Sequence, residues 1–259
     1  MKTIIRKMTA LAAFCFFAVP IVQSQNIQFH HDFGRNIYPT EEGDRMLTTV
    51  TFEMFKPDRW GSTYFFTDFD ICRTGVKGAY AELSREFTLG KLKQFAAHIE
   101  YDGGLCTDKY SSYGALFQPA VLVGPAWNWA NADFSRTLSL QLMYKHYFRG
   151  AARKAFSSAQ ATIVWGINFG RDAMFTFSGF ADLWLEKVFG DAGDAKSDSH
   201  RAVFLTEPQF WFNLKAFKAF EKVNVSVGTE WEVSNNFITN YANGKSFFVN
   251  PTLAAKWTF

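Results

Sequence analysis

The chain has 259 residues, with 27 Lys and Arg against 24 Asp and Glu, and it is 48% hydrophobic and 18% aromatic, with thirty Phe. That length suits one large β domain or two average domains. Mean hydropathy is only −0.10, so apolar and polar residues interleave at short period. After the first segment no run of 18 apolar residues offers a transmembrane helix, and no basic patch calls for nucleic acid.

The opening "MKTIIRKMTALAAFCFFAVPIVQSQ" places Lys2, Arg6 and Lys7 before an apolar run from about Met8 to Val22. The run is too short to span a bilayer, and Val22 with the small Ser24 makes a cleavage site. This predicts an export signal over 1–24 and a mature chain over 25–259. The signal carries three of the cations, so the mature chain is near neutral. Cys15 invites a lipoprotein signal, but Phe14 before it is not the small residue that such cleavage needs. Cys72 and Cys106 remain after processing; in an exported protein they could pair, or stay as two thiols or small hydrophobes.

The predicted elements are extended. They run near Ile27 to Gly34, Met46 to Phe55, Gly61 to Ile71, Gly78 to Leu89, Gln94 to Asp102 and Leu116 to Trp127. Then come Phe134 to Tyr147, Ser158 to Phe169, Ala173 to Glu186, Ala202 to Leu214, Lys222 to Ser234 and Ser246 to Phe259. In "VNVSVGTEWEVS", Val223, Val225, Val227, Thr229, Trp231 and Val233 face one way and Asn224, Ser226, Gly228, Glu230, Glu232 and Ser234 the other. "QATIVWGINF", "TLSLQLMYK" and "QFAAHIEYD" alternate likewise. Period two means strand, and helical periodicity is nowhere comparable. Most segments reach the roughly 9–11 residues that a tilted strand needs to cross a bilayer. Connections alternate in length, with "RNIYPTEEGDR", "CRTGVKG" and "GGLCTDKYSSYG" long and "KPDRW", "GKLK" and "KAFKAFE" short. That is the pattern of a single all-β transmembrane antiparallel β-barrel of about 12 strands, its long loops outside and both termini in the periplasm.

The chain ends on "NPTLAAKWTF", where Val249, Pro251, Leu253, Ala255, Trp257 and Phe259 share one face. Backbone groups in hydrocarbon must be paired within the protein, so this last strand is expected to pair with the first. Trp257, Tyr144, Trp165 and Tyr101 suit the aromatic girdles at the two interfaces.

The ending resembles the C-terminal signature of bacterial outer-membrane barrels, which in that class is what the barrel-assembly machinery recognises; here it implies recognition through the Phe259 strand. "TVTFEMFKPDRWGSTYFFTDFD", then "GAYAELSREFTLGKL" and "HIEYDGG", is similar to the nucleoside-specific channel-forming (Tsx-like) family of Gram-negative outer membranes. Glu53, Phe55, Trp60, Asp68, Asp70 and Glu82 occupy matching positions, and the motifs are convincing from about Met46 to Gly104. The resemblance implies a twelve-stranded monomeric barrel amid outer-membrane lipid and lipopolysaccharide. It further implies a narrow pore passing a small-molecule solute, nucleosides in that family, with no cofactor and no energy coupling.

If the apolar faces meet lipid, the lumen is lined by Glu53, Phe55, Tyr64, Phe66, Asp68, Asp70, Tyr80, Glu82, Glu86, His98, Glu100, Asp102, Lys145, Glu207, Trp211, Glu230, Glu232 and Lys256. Rings could stack on a base and acids could bind sugar hydroxyls; the same groups could equally form a polar, salt-bridged filling. The excess of acids favours neutral or cationic solutes. A lipid hydrolase with His and Ser two apart on one strand is not supported, since His30, His31, His98, His146 and His200 lead to Asp32, Phe33, Glu100, Phe148 and Ala202. A triad assembled from separate strands stays open, as does a closed structural or surface-binding barrel. His98 and Glu100 could form an acid/base dyad but suit a polar lining better. The adjacent His30 and His31 point to opposite faces, against a metal site. Asp191, Asp194 and Asp198 could hold calcium weakly, though such spacing is common in solvated loops.

Overall fold

The computed structural model describes residues 24–106, 115–116, 118–150, 154–189, 195–238 and 244–259; the expected export signal lies outside them except for its last residue, Ser24. β1 (Ser24–Asp32) is followed by β2 (Thr48–Asp58), β3 (Gly61–Cys72), β4 (Gly75–Leu89) and β5 (Leu92–Cys106). β6 (Ala120–Ala130), β7 (Arg136–Tyr147), β8 (Phe156–Phe169) and β9 (Phe175–Phe189) continue the series. β10 comes in two pieces, Ala195–Thr206 and Gln209–Asn213, before β11 (Val225–Asn235) and β12 (Phe247–Thr258). A one-turn helix, α1 (Gly34–Ile37), lies between β1 and β2.

Each strand pairs antiparallel with its chain neighbours, and β12 pairs with β1, Thr258 standing opposite Asn26 and Thr252 opposite Asp32. The sheet is therefore a closed twelve-stranded barrel without a free edge. Pro208 interrupts β10, because it has no N–H for the ladder. Register survives the gap, with Asp182 opposite Leu205 before it and Ser178 opposite Gln209 after it. Across from the gap, a Cβ on Gly179 would lie 2.5 Å from the Glu207 carbonyl oxygen, an approach that only glycine permits.

Polarity is inverted relative to a water-soluble sandwich. In β1 the inward Asn26, Gln28, His30 and Asp32 are at most 6% exposed, while the outward Phe29 is 52% exposed. His30 is buried and His31 exposed, as period two requires. Leu83, Phe87, Ile99, Tyr101, Leu142, Tyr144, Leu183, Trp231, Leu253 and Trp257 stand on the exterior. The interior is not purely polar, however. Ala120, Leu122, Met143 and Tyr147 pack inside with Phe156 and Trp184, and Trp211 and Phe248 are fully buried. These fill part of the cross-section along the inner walls of β6–β9 and β10–β12.

Two connections depart from the expected lengths. "CRTGVKG" is not a long loop, since β3 and β4 extend to a turn of just Arg73 and Thr74. "KAFKAFE" is not a tight turn: two 3₁₀ turns, Leu214–Ala216 and Lys218–Phe220, occupy that link. Cys72 and Cys106 end β3 and β5 on the same rim and are free thiols.

Candidate functional site: the acid-lined lumen

Strands β1 to β4 position the first group. The Glu53 carboxylate accepts hydrogen bonds from Asn26 Nδ2 at 2.8 Å, Gln28 Nε2 at 3.1 Å and Tyr64 Oη at 2.7 Å. Asp68 and Asp70 of β3 accept from Thr51 and Thr49 at 2.5 and 3.0 Å. Tyr80 donates to Glu82 at 2.9 Å. Tyr64, Phe66 and Tyr80 form a row of tilted rings with successive centroids 6.1 Å apart. Phe55 has the inward register, opposite Tyr64, and is 42% exposed.

A second group spans β4 to β9. His98 lies between Glu86 at 3.3 Å and Glu100 at 3.2 Å, so its ring is held as lining between two acids. Asp102 pairs with Lys145 at 3.1 Å, and the same ammonium donates to Gln160 at 2.8 Å. Glu82, Glu100 and Asp102 bring carboxylate oxygens within 4.8 Å of one another. Their spacing would suit a cation, yet Lys145 already supplies the positive charge beside Asp102.

The third group joins β10, β11 and β12 to β1. Glu230 accepts from Gln209 Nε2 at 2.5 Å, and Trp211 Nε1 donates to Gln209 Oε1 at 2.9 Å. Lys256 lies over the Trp211 ring at 4.1 Å. His30 Nδ1 is 3.6 Å from Glu230 and 3.2 Å from Thr252 Oγ1. Glu207 stands at the β10 break, beside Pro208. Glu230 and Glu100 keep 18% and 12% side-chain exposure.

Charge is unbalanced there. Lys145 is taken by Asp102 and Arg201 by Glu186. Arg45 is taken by Asp32, Glu42 and Glu232. Among the described residues, Glu53, Asp68, Asp70, Glu82, Glu100, Glu207 and Glu230 form no ion pair with Lys or Arg.

Comparison places this architecture. The family model for a domain of unknown function, DUF5020, matches residues 24–259. The chain belongs to that family. No curated protein matches it in sequence. Among solved structures it is similar to the NanC porin at 8% identity and a TM-score of 0.55, over 91% of this chain and all of that one. OccAB3 of Acinetobacter baumannii (10% identity, TM-score 0.42, 94% of this chain and 66% of that one) and LpxR of Salmonella typhimurium (10%, 0.41, 91% and 100%) are more distant. The likeness to NanC is one of fold, a closed antiparallel barrel.

Several members of the lumen were not singled out from sequence. Asn26, Gln28 and Asp182 could have been read from alternation, as Glu53 was. Arg45 and Asn250 could not. The first lies in a loop without periodicity, and its main partner, Glu232, is 187 residues away. Burial pushes the Glu42 carboxyl in that loop above the ordinary carboxylate range, with Arg45 and Asn250 drawing it back. The acidic trio Asp191, Asp194 and Asp198 falls outside the described side chains.

Proposed function

We propose that this DUF5020 barrel is an outer-membrane channel for passive diffusion of small solutes, exported on a signal over residues 1–24 and inserted as a monomer. One observation carries the reading: large apolar side chains of the strands are exposed on the exterior while acids and amides face the interior of the closed barrel. Backbone and side chains arranged in that way are stable where hydrocarbon surrounds the sheet. The uncompensated acids favour cations and neutral molecules over anions.

Nucleosides are the solute we propose. Support comes from the Tyr64–Phe66–Tyr80 row beside the carboxylates of Glu53 and Glu82, and from the Tsx-like motifs over Met46 to Gly104. Base–aromatic stacking is worth roughly 1–3 kcal/mol per base, enough for a weak site that a solute also leaves. Phe259 is the proposed contact of the barrel-assembly machinery. The test is conductance of the purified protein in planar bilayers, with block by added nucleosides. A silent, well-folded barrel would leave a structural role.

A second reading, a lipid hydrolase, rests on one pair. His146 Nδ1 lies 3.0 Å from Ser157 Oγ, and Tyr144 Oη lies 2.6 Å from the same hydroxyl. All three stand on the outward register of β7 and β8, but among the described residues no carboxylate hydrogen-bonds the His146 ring, as a triad would need. Ester release from phospholipid that disappears in Ser157→Ala would establish it; its absence from the native barrel ends it.

A further inference from the structure

The segment between β1 and β2, residues 33–47, does not stand away from the barrel. Its first turn, α1, packs on the inner wall: a Cβ on Gly34 would lie 2.6 Å from Asn250 Oδ1. Tyr38 covers Phe248 edge-on with ring centroids 5.2 Å apart, and its hydroxyl accepts the Val249 N–H at 3.2 Å. The inward Phe248 and Asn250 of β12 and Ser234 of β11 are all 0% exposed.

One guanidinium holds the far end of the segment. Arg45 is 2.9 Å from Asp32 of β1, 3.4 Å from Glu42 in its own loop and 2.9 Å from Glu232 of β11. Asn250 Nδ2 donates to both Glu42, at 3.0 Å, and Glu232, at 3.2 Å. The Gly34 N–H donates to Asp32 Oδ1 at 2.6 Å. Three carboxylates thus converge on one cation, and without it they repel one another across the seam between loop and wall. A cavity of about 400 Å³ is bounded by Thr40 to Arg45 of this segment and by Ile238.

We propose that residues 33–47 form a latched lid folded into one mouth of the barrel, with Arg45 as its pin and the width of that mouth as its consequence. The latch is a matter of structure; the effect on width rests on the channel reading above. Both are read on the full chain folded in detergent or bilayers, for the native protein, Arg45→Lys, Arg45→Ala and Glu232→Gln.

Hydrogen exchange comes first. Amides of residues 34–46 should exchange at least about tenfold more slowly in the native protein than in Arg45→Ala, with Arg45→Lys and Glu232→Gln between them. Amides of β5 and β8 should be unchanged in all four, which shows that the barrel is intact. Should Arg45→Ala fail to fold, Glu232→Gln against the native protein gives the same comparison. Equal exchange of the segment in native protein and Arg45→Ala, whether protected or not, overturns the latch. Single-channel conductance follows. A rise of about twofold or more in Arg45→Ala is expected; an unchanged conductance in a variant whose lid has been freed overturns the control of width. If no protein conducts but the exchange pattern holds, the latch stands and the channel reading is what fails.

Discussion

Phe259, the last residue of the chain, donates its backbone N–H to the carbonyl of Gln25 at 2.9 Å. The terminal residue thus extends the ladder between β12 and β1, and its ring lies 5.4 Å from Trp257 and 6.2 Å from Phe52 on the exterior. Deleting Phe259 removes a closing hydrogen bond worth about 1 kcal/mol and one ring of that cluster. The amount of heat-modifiable, folded barrel recovered from outer membranes should fall several-fold, while a Phe259→Tyr chain should assemble near normally. Equal recovery of the shortened chain would mean that the last residue is dispensable.

Asp102 and Lys145 form a buried ion pair on the inner wall, their side chains 7% and 9% exposed. Lys145→Met strands a carboxylate beside Glu100 and Glu82, and should cost about 3–5 kcal/mol in denaturant unfolding from lipid vesicles. Replacing both partners, with Asp102→Leu and Lys145→Met together, should recover most of that loss. A double variant as weak as the single one would show that the pair matters through other contacts.

Among the described residues, Glu82 and Glu100 face the interior without a Lys or Arg partner. If the barrel conducts, the native protein should prefer cations in a salt gradient. Glu82→Gln combined with Glu100→Gln should move the reversal potential toward zero, and the difference should shrink at high salt as the Debye length falls to about 3 Å at 1 M. A native reversal potential of anionic sign would refute the electrostatic argument.

At the tip of β2, Asp58 accepts hydrogen bonds from Arg85 Nη1 and Nη2, both at 2.8 Å, and from the N–H groups of Trp60 and Gly61 at 2.8 and 3.1 Å. The Arg85 hydrogen bonds, then that of Trp60, pull its pKa from 3.8 down to about 2. A carboxyl depressed on folding stabilises the fold fully above its unfolded pKa, and that contribution fades as pH falls toward the folded value. The native barrel should therefore lose stability relative to Asp58→Asn between about pH 4 and pH 2, with a constant difference above that range. Parallel stability curves down to pH 2 would sink this assignment.

Most of the barrel could be read from alternation, because a sheet wet on one side and greasy on the other writes its geometry at period two. Alternation puts Glu53, Glu82, Glu100 and Glu230 at inward positions, and the structure brings Glu82 and Glu100 within 4.8 Å of each other and of Asp102. Alternation did not show that Leu122, Met143 and Trp211 would fill part of the interior, since an apolar residue at an inward position looks the same whether it packs or lines an opening. The β10 gap had a visible cause in Pro208, though the sequence alone reads as one strand from Ala202 to Leu214. Arg45 gave no local sign, because its role exists only once β1 and β11 stand near each other in the closed ring.

The contrast between His30, 3% exposed, and its neighbour His31 has a consequence for assembly. Sliding β1 by a single residue along either partner would exchange the two imidazoles and push Phe29 inside while turning Gln28 and Asp32 out. A seam whose two faces differ in polarity in this way penalises misalignment. As the ring closes, each such strand therefore helps to fix the register of its neighbours, and the closing seam between β12 and β1 inherits a register set by the rest.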